Sequence, residues 1–351
     1  MTTKAIPRRV PIVGIVSAVP HRHNGSSGVP GLRRGASLAA LLVALACSPQ
    51  GGEPNPDPGA LSESVAEMNA SASSLSDPPP QGAVPRETGQ EALGFPATVT
   101  DAAGRSWVFE ASPERIVSLV PSATRTLEAL GARGLLVGRT AYDTTASLAR
   151  LPSVGGGLDP SLEMLLALRP DLVIRYAGES DRATPLRLDQ MGVRHFAVRP
   201  ERIEDVRDLI RDLGLVTGRR VQADSLLADM DVGFHEIRTR IAGRAPVRVA
   251  YLLGGNPPWV AGPGTFIHEL LEAAGGENPF ADLKAPYGPV SPEEFLVRGI
   301  DLVLAPEGAE VFLPSPSLRL VRVSPNTELP GPDLPRVLRE LAVILHPQVF
   351  R

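Results

Sequence analysis

"SLEMLLALRPDLVI", Ser161 to Ile174, returns later in the chain as "SPEEFLVRGIDLVL", Ser291 to Leu304. Each copy sets a Glu two residues after a Ser, at Glu163 and Glu293. Each sets an Asp eight residues further on, at Asp171 and Asp301, where an apolar run opens. The pattern reads as a helix turning into a buried strand, a unit that belongs to a parallel sheet covered by helices. Said twice, it predicts two matching lobes with matching surface carboxylates.

Working outward, "ATVTDAAGRSWVFE" (Ala97 to Glu110) alternates around a turn and predicts a hairpin, and "RIVSLV" (Arg115 to Val120) a buried strand. A helix from Ser122 to Leu130, stopped by Gly131, leads to "LLVG", the first repeat helix, "DLVIRY" and "VRHFAV" (Val193 to Val198). The order strand, helix, strand, helix, strand argues for parallel pairing. From Ile203 to Ile241 the spacing is helical almost throughout, with Gly214 and Gly218 as the expected break. The second half restarts with "VRVAYLLGG". It continues through a helix near Thr265 to Ala274, the second repeat, a strand in "LRLVRV" and a helix around Leu334 to Leu345. The expected fold class is α/β: two lobes, each with a central mostly parallel sheet flanked by helices, joined by a long helical backbone. The N-terminal lobe takes residues 96–200, the backbone 201–243 and the C-terminal lobe 244–351.

The N-terminal region differs in kind. Arg33 and Arg34 precede the apolar run "ASLAALLVALA", which ends at Cys47 and is too short to span a bilayer. Residues 1–47 read as a signal peptide, and a start near Val29 would leave it compact. "VALAC" is similar to a bacterial lipobox, which implies lipidation of Cys47 and anchoring of the mature protein to a membrane. An ordinary cleaved signal, or a buried helix with a core Cys, is the alternative. Residues 48–95, rich in Pro, Gly and Ser, lack apolar periodicity and are expected to form a disordered tether.

Composition narrows the function. A chain of 351 residues with 43% hydrophobic residues buries a sizeable core, and a net charge of -4 offers no basic field for nucleic acid. Cys47 is the single cysteine, so no intramolecular disulfide forms. The six His are scattered without a zinc motif. There is neither a nucleophile elbow nor a phosphate-binding loop, so no catalytic residue, resident metal or cofactor is expected. Aromatics make up only 4% of the chain, yet Tyr142, Tyr176, Trp259 and Tyr287 fall just beyond strands or in Pro/Gly loops. Ligands of open α/β sheets bind beyond the carboxyl ends of strands, where such rings suit a large, flat, partly apolar ligand. The alternative is that each ring packs beneath its own loop.

"RIVSLVPSATRTLEALG", "VGGGLDPSLEMLLALRPDLVI", "GPGTFIHELLEAAGGENPFADL" and "VSPEEFLVRGIDLVLAPEG" together resemble the helical-backbone class of periplasmic substrate-binding proteins of ABC importers, which carry cobalamin, haem and ferric siderophores. Within it, "GGNPPWVAGPGTF" and "APYGPVS" are most similar to the cobalamin-binding member. The resemblance implies a monomer that holds its ligand between two lobes with little closure. It would be lipid-anchored on the periplasmic or extracytoplasmic face, and it would deliver to a permease dimer with its own ATPase subunits. It implies a corrinoid pocket lined by Tyr142, Tyr176, Trp259 and Tyr287, with Tyr at 176 and 287 where that member carries Trp. It also implies that Glu163 and Glu293 dock against Arg pockets on the two permease copies. A helix-start role competes for both Glu, although Ser291 and Glu294 already form a capping box around Pro292. Arg139, Arg175 and Arg182 near the aromatic loops keep an anionic siderophore open as cargo, and haem remains an alternative too. An enzyme or chelatase on the same scaffold would require a polar cluster in the cleft.

Overall fold

The computed structural model describes residues 94–178, 181–313 and 315–351. The signal-like segment, Cys47 and all of the tether but Gly94 and Phe95 lie outside them. No helix among the described residues is long and apolar enough to cross a membrane.

Strands β1 (Ala97–Thr100) and β2 (Ser106–Phe109) form the antiparallel hairpin. The Asp101 carboxylate closes it by accepting the Ala103 and Arg105 amides at 3.0 and 2.9 Å. Then follow β3 (Ile116–Ser118), α1 (Pro121–Ala129), β4 (Leu136–Gly138), α2 (Leu162–Leu168), β5 (Leu172–Tyr176), α3 (Ala183–Gln190) and β6 (His195–Val198). Their sheet has the order β4-β3-β5-β6 and every pair is parallel. The apolar runs of β3, β5 and β6 are buried on both faces, as a helix-covered parallel sheet requires.

Helices α4 (Ile203–Val216) and α5 (Arg220–Arg240) fill the middle. The chain reverses at Gly218, whose φ of +65° suits glycine. Gly214, expected as part of the break, instead lies inside α4: a Cβ there would come within 2.5 Å of the Ala223 Cβ, so it marks the close crossing of two antiparallel helices. Arg207 reaches Asp231 across the same crossing at 2.8 Å.

The second half comprises β7 (Val247–Gly254), β8 (Trp259–Ala261), α6 (Phe266–Ala273), β9 (Gly276–Glu277), β10 (Tyr287–Pro289), α7 (Glu294–Val297), β11 (Leu302–Pro306), β12 (Leu320–Val323) and α8 (Leu334–Leu345). The sheet order is β10-β8-β7-β11-β12, with β9 beside β7. β7, β9, β11 and β12 run parallel, and β8 is antiparallel to both neighbours. Helix α5 packs on α4, on α6 and on α8, where Gly233 lets Pro335 approach.

The sequence repeat has a structural cause. Asp171 accepts the Arg115 amide at 3.0 Å, and Asp301 accepts the Arg248 amide at 3.0 Å. Arg115 immediately precedes the central strand β3, and Arg248 is the second residue of β7. Each guanidinium donates to the carbonyls that end the repeat helix, Leu168 and Arg169 in one lobe, Arg298 and Gly299 in the other. The recurring Asp is therefore a clasp between a helix end and the neighbouring strand.

One apolar cluster runs through both halves, from Leu127, Phe196 and Leu213 to Tyr251, Leu270 and Leu338. Polar ties reinforce it. Arg125 of α1 donates to Asn326 and Asp333, each at 2.9 Å, and Glu269 of α6 accepts Arg202 at 2.6 Å and the Ile203 amide at 2.8 Å. The Phe266 amide donates to the Glu201 carbonyl at 2.6 Å.

Candidate functional site

Parallel strands bring their carboxyl ends to one edge, so the loops after β4 and β5 share a rim. Tyr176 is the last residue of β5, half-buried, and its hydroxyl donates to the Glu201 carboxylate just before α4. Tyr142 follows the edge strand β4. Its loop is held by the buried Asp143, which accepts both the amide and the hydroxyl of Thr140 at 2.8 and 2.7 Å. Burial pushes the Asp143 carboxyl up, opposed by those bonds. In the order β4-β3-β5 the two strand ends lie about 10 Å apart. Among the described residues, no hydrogen bond or ring contact joins Tyr142 to the other three aromatics.

From the second half, Tyr287 of β10 stands opposite Ala261 of β8, two residues along from Trp259. Alternation along β8 puts Trp259 on the same face as Ala261, and hence beside Tyr287. One step along the β7–β8 register adds Tyr251 to that row. Trp259, Tyr287 and Tyr176 are all half-buried rings packed against the cluster shared by both halves. Three of the four sequence-predicted aromatics thus pack against the core that runs through both halves, and the charge of Glu201 and the Tyr176 phenol reach Tyr287.

What gathers around their hydroxyls is acidic. Burial raises the Tyr287 phenol above its ordinary value, and the charges of Glu328 and Glu201 push the same way. Burial, then the bond to Glu201, raises Tyr176. Glu328 ends a tight turn after β12 and is 7% exposed; burial lifts its carboxyl to about 7. The fully buried Tyr251 hydroxyl faces it, raised by burial and by that carboxylate. Tyr251 Oη and Glu328 Oε1 are both shut off from solvent with no other partner, and the phenol, donating toward the carboxyl, pulls its pKa down somewhat against the effect of burial. Glu328 and Glu201 were not singled out in the sequence, although both sit in loops beyond strands, the same signal that picked out the aromatics. Tyr251 lies inside a strand and carried none.

The arginines near these loops are differently disposed. Arg175 is buried and donates to His195 Nδ1 at 3.1 Å and the Tyr176 carbonyl at 3.0 Å. Arg139 donates to the Leu151 and Thr140 carbonyls at 3.2 and 3.0 Å. Arg182 is exposed at the start of α3.

Glu163 is exposed in the first turn of α2, whose cap is the Ser161 hydroxyl accepting the Met164 amide at 3.3 Å. Glu293 is exposed just before α7, with its carboxyl held low by its own amide and by the Ser291 hydroxyl. The expected capping box is half formed. Glu294 accepts the Ser291 amide at 3.4 Å and pairs with Arg298, but the Ser291 hydroxyl turns to Glu293. Glu293 is therefore accessible but not free of local bonds.

Comparison with known proteins places this geometry. A profile of the periplasmic binding protein family matches residues 116–309. A cobalamin-binding protein of Halobacterium salinarum is 32% identical over 259 residues, 69% of this chain and 66% of that protein, so the match spans just under two thirds of the relative's length. A vitamin B12-binding protein of Salmonella paratyphi A is 29% identical over 193 residues, 55% of this chain and 71% of that protein. Among solved structures, a periplasmic haem-binding protein from Pseudomonas aeruginosa superposes with a TM-score of 0.60 at 26% identity, covering 67% of this chain and 93% of that one.

Proposed function

The chain belongs to the periplasmic binding protein family, and on that premise we propose that it captures cobalamin or a related corrinoid between its lobes and delivers it to the permease of an ABC importer. The observation that carries this reading is that Trp259, Tyr287 and Tyr176, from two halves of the chain, pack against one shared apolar cluster, with Tyr176 and Tyr287 within electrostatic reach of each other. A corrin is large and flat, with a rim of neutral amides; rings grip its faces and phenols and carboxylates accept from its rim. The relatives named for cobalamin and vitamin B12 support the same cargo. An anionic siderophore needs unspent cations, and two of the three arginines near the site are committed to internal acceptors. Phenols, carboxylates and an indole bind and orient a chelate, which is the work of a carrier rather than of an enzyme or chelatase. We place Cys47 as the lipid anchor, and Glu163 and Glu293 as the groups that meet the permease.

Titration calorimetry of the full chain in detergent with cyanocobalamin, haemin and ferric enterobactin, an anionic siderophore complex, tests the cargo. Cyanocobalamin is expected to bind, and Trp259→Ala to weaken it about 30-fold, the loss of an aromatic anchor worth about 2 kcal/mol. Binding of haemin alone keeps the importer role and replaces the cargo, in line with the haem-binding relative of known structure. No binding of any probe overturns the cleft as a chelate site.

A further inference from the structure

We infer that Leu166 and Leu296 are the apolar halves of two equivalent docking knobs: each lobe presents an exposed leucine beside an exposed carboxylate, matched to a permease that offers one cation-rimmed apolar socket on each of two copies. The inference rests on the proposed meeting of Glu163 and Glu293 with the permease and goes on to name the uncharged part of that contact.

The two repeats match in exposure as well as in sequence. Leu165 and Phe295, four residues after each Ser, are buried, and they fix which side of α2 and α7 faces the core. In the second copy the helical turn opens at Glu293, whose carbonyl accepts the Leu296 and Val297 amides at 2.9 and 3.3 Å. At about 100° of rotation per residue, the side away from the core carries Glu163, Leu166 and Ala167 in one lobe and Glu293, Leu296 and Val297 in the other. All six are exposed, Leu166 by 51%, Leu296 by 54% and Val297 by 80%. A Glu and a Leu three positions apart are neighbours on such a surface.

Folding does not ask for these leucines. The inward residue seals the core and Asp171 and Asp301 make the clasp, so the outward side of a sheet-covering helix needs only polar groups. A single exposed leucine is ordinary. Here, of the ten large apolar side chains exposed among the described residues, four lie in the two short repeats: Met164, Leu166, Leu296 and Val297. The charge beside them is unspent. Among the described residues neither Glu163 nor Glu293 has a cation within salt-bridge distance, whereas the neighbouring Glu294 is spent on Arg298 at 2.7 Å. A surface that satisfies the pair must bring a cation and an apolar face together, and must do so twice. Covering the leucine also strips water from the ion pair, which leaves the contact less open to screening by salt.

The test introduces a photo-crosslinking benzophenone side chain in place of Leu166 or Leu296 in the full chain, produced in the cells that encode it. The control carries it in place of Val232 on α5, which is 67% exposed. The two leucine sites are expected to give adducts with the same integral membrane protein and with the same peptide of it, because the two sockets are copies; the control site gives neither. In parallel, Leu166→Gln combined with Leu296→Gln should lower uptake of cyanocobalamin about tenfold or more. Its melting temperature should stay within about 2 °C of wild type and its calorimetric affinity for cyanocobalamin within about twofold, since both changes are on the surface. Different peptides at the two leucine sites, or adducts with a second copy of this chain, overturn the inference. Full uptake by the glutamine pair, while Glu163→Ala with Glu293→Ala loses it, also overturns the inference and leaves the permease reading intact. Full uptake by both pairs overturns both. The adducts are read whatever chelate is carried, so failure of the cobalamin reading still leaves the docking decided.

Discussion

A carboxyl placed where water cannot reach it binds its proton more tightly in the folded chain than in the unfolded one, and this makes stability depend on pH. For Glu328 the ordinary value is 4.5 and the folded value is about 7. Between them the native state holds a proton that the unfolded state has released, so the unfolded state binds fewer protons and stability falls as pH rises. The full penalty, roughly 3 kcal/mol for a shift of about 2.5 units, is present above pH 7 and absent below 4.5. Glu328→Gln should therefore melt several degrees above wild type at pH 8 and together with it near pH 4.5, read by circular dichroism at both values. Asp212, raised by burial to about 6, adds a slope of the same sign to both proteins and cancels in the difference. Equal melting temperatures at pH 8 would mean that Glu328 is solvated. The same residue shows where sequence reading of the site stops. Tyr176, Trp259 and Tyr287 are legible because a rare ring just beyond a strand is a local signal. That Tyr251, inside β7, faces Glu328, some 75 residues later in the chain, is a product of packing and has no local trace.

At the scale of elements, the two repeats invite comparison position by position. Both helices end in a left-handed residue whose carbonyl accepts the clasping arginine. In the second repeat that residue is Gly299 at φ +62°, but in the first it is Arg169 at φ +46°. A side chain in this region costs about 1–2 kcal/mol, partly offset by the extra freedom glycine gives the unfolded chain. Arg169→Gly is accordingly expected to stabilise by about 1 kcal/mol in urea titration, with Gly299→Ala destabilising by a similar amount. A destabilised Arg169→Gly would mean that the exposed guanidinium makes a compensating contact. Most elements here were legible, because helix and strand periods, glycine stops and the doubled motif agreed with one another. The exceptions have physical reasons. Gly214 looked like a helix breaker but serves the crossing with Ala223, a contact that no single-helix pattern contains. Helix α7 spans four residues against seven in α2, so the doubled motif is matched in register but not in helix length. The clasp of Arg115 and Arg248 is not legible in the sequence because an arginine at the start of a strand has many ordinary uses.

The whole molecule turns these local features into a fixed geometry. A continuous core runs through both halves, Arg125 ties one lobe to the other, and Arg202 ties the start of the helical backbone to the C-terminal lobe. Glu163 and Glu293 sit at corresponding points of the two repeats, both exposed, one on each lobe. A partner with two copies of one basic pocket would be met twice, and the second contact forms at the high effective concentration that the first creates. Exposed charges of this kind orient and speed docking more than they deepen it. Either single variant, Glu163→Ala or Glu293→Ala, should therefore lower cobalamin uptake several-fold in cells, and the double variant should lower it by about 100-fold or more. Calorimetric affinity for cyanocobalamin should stay at the wild-type value in all three. Full uptake by the double variant would leave the two carboxylates with only their helix starts to explain them, and the doubled motif would then be a matter of folding alone.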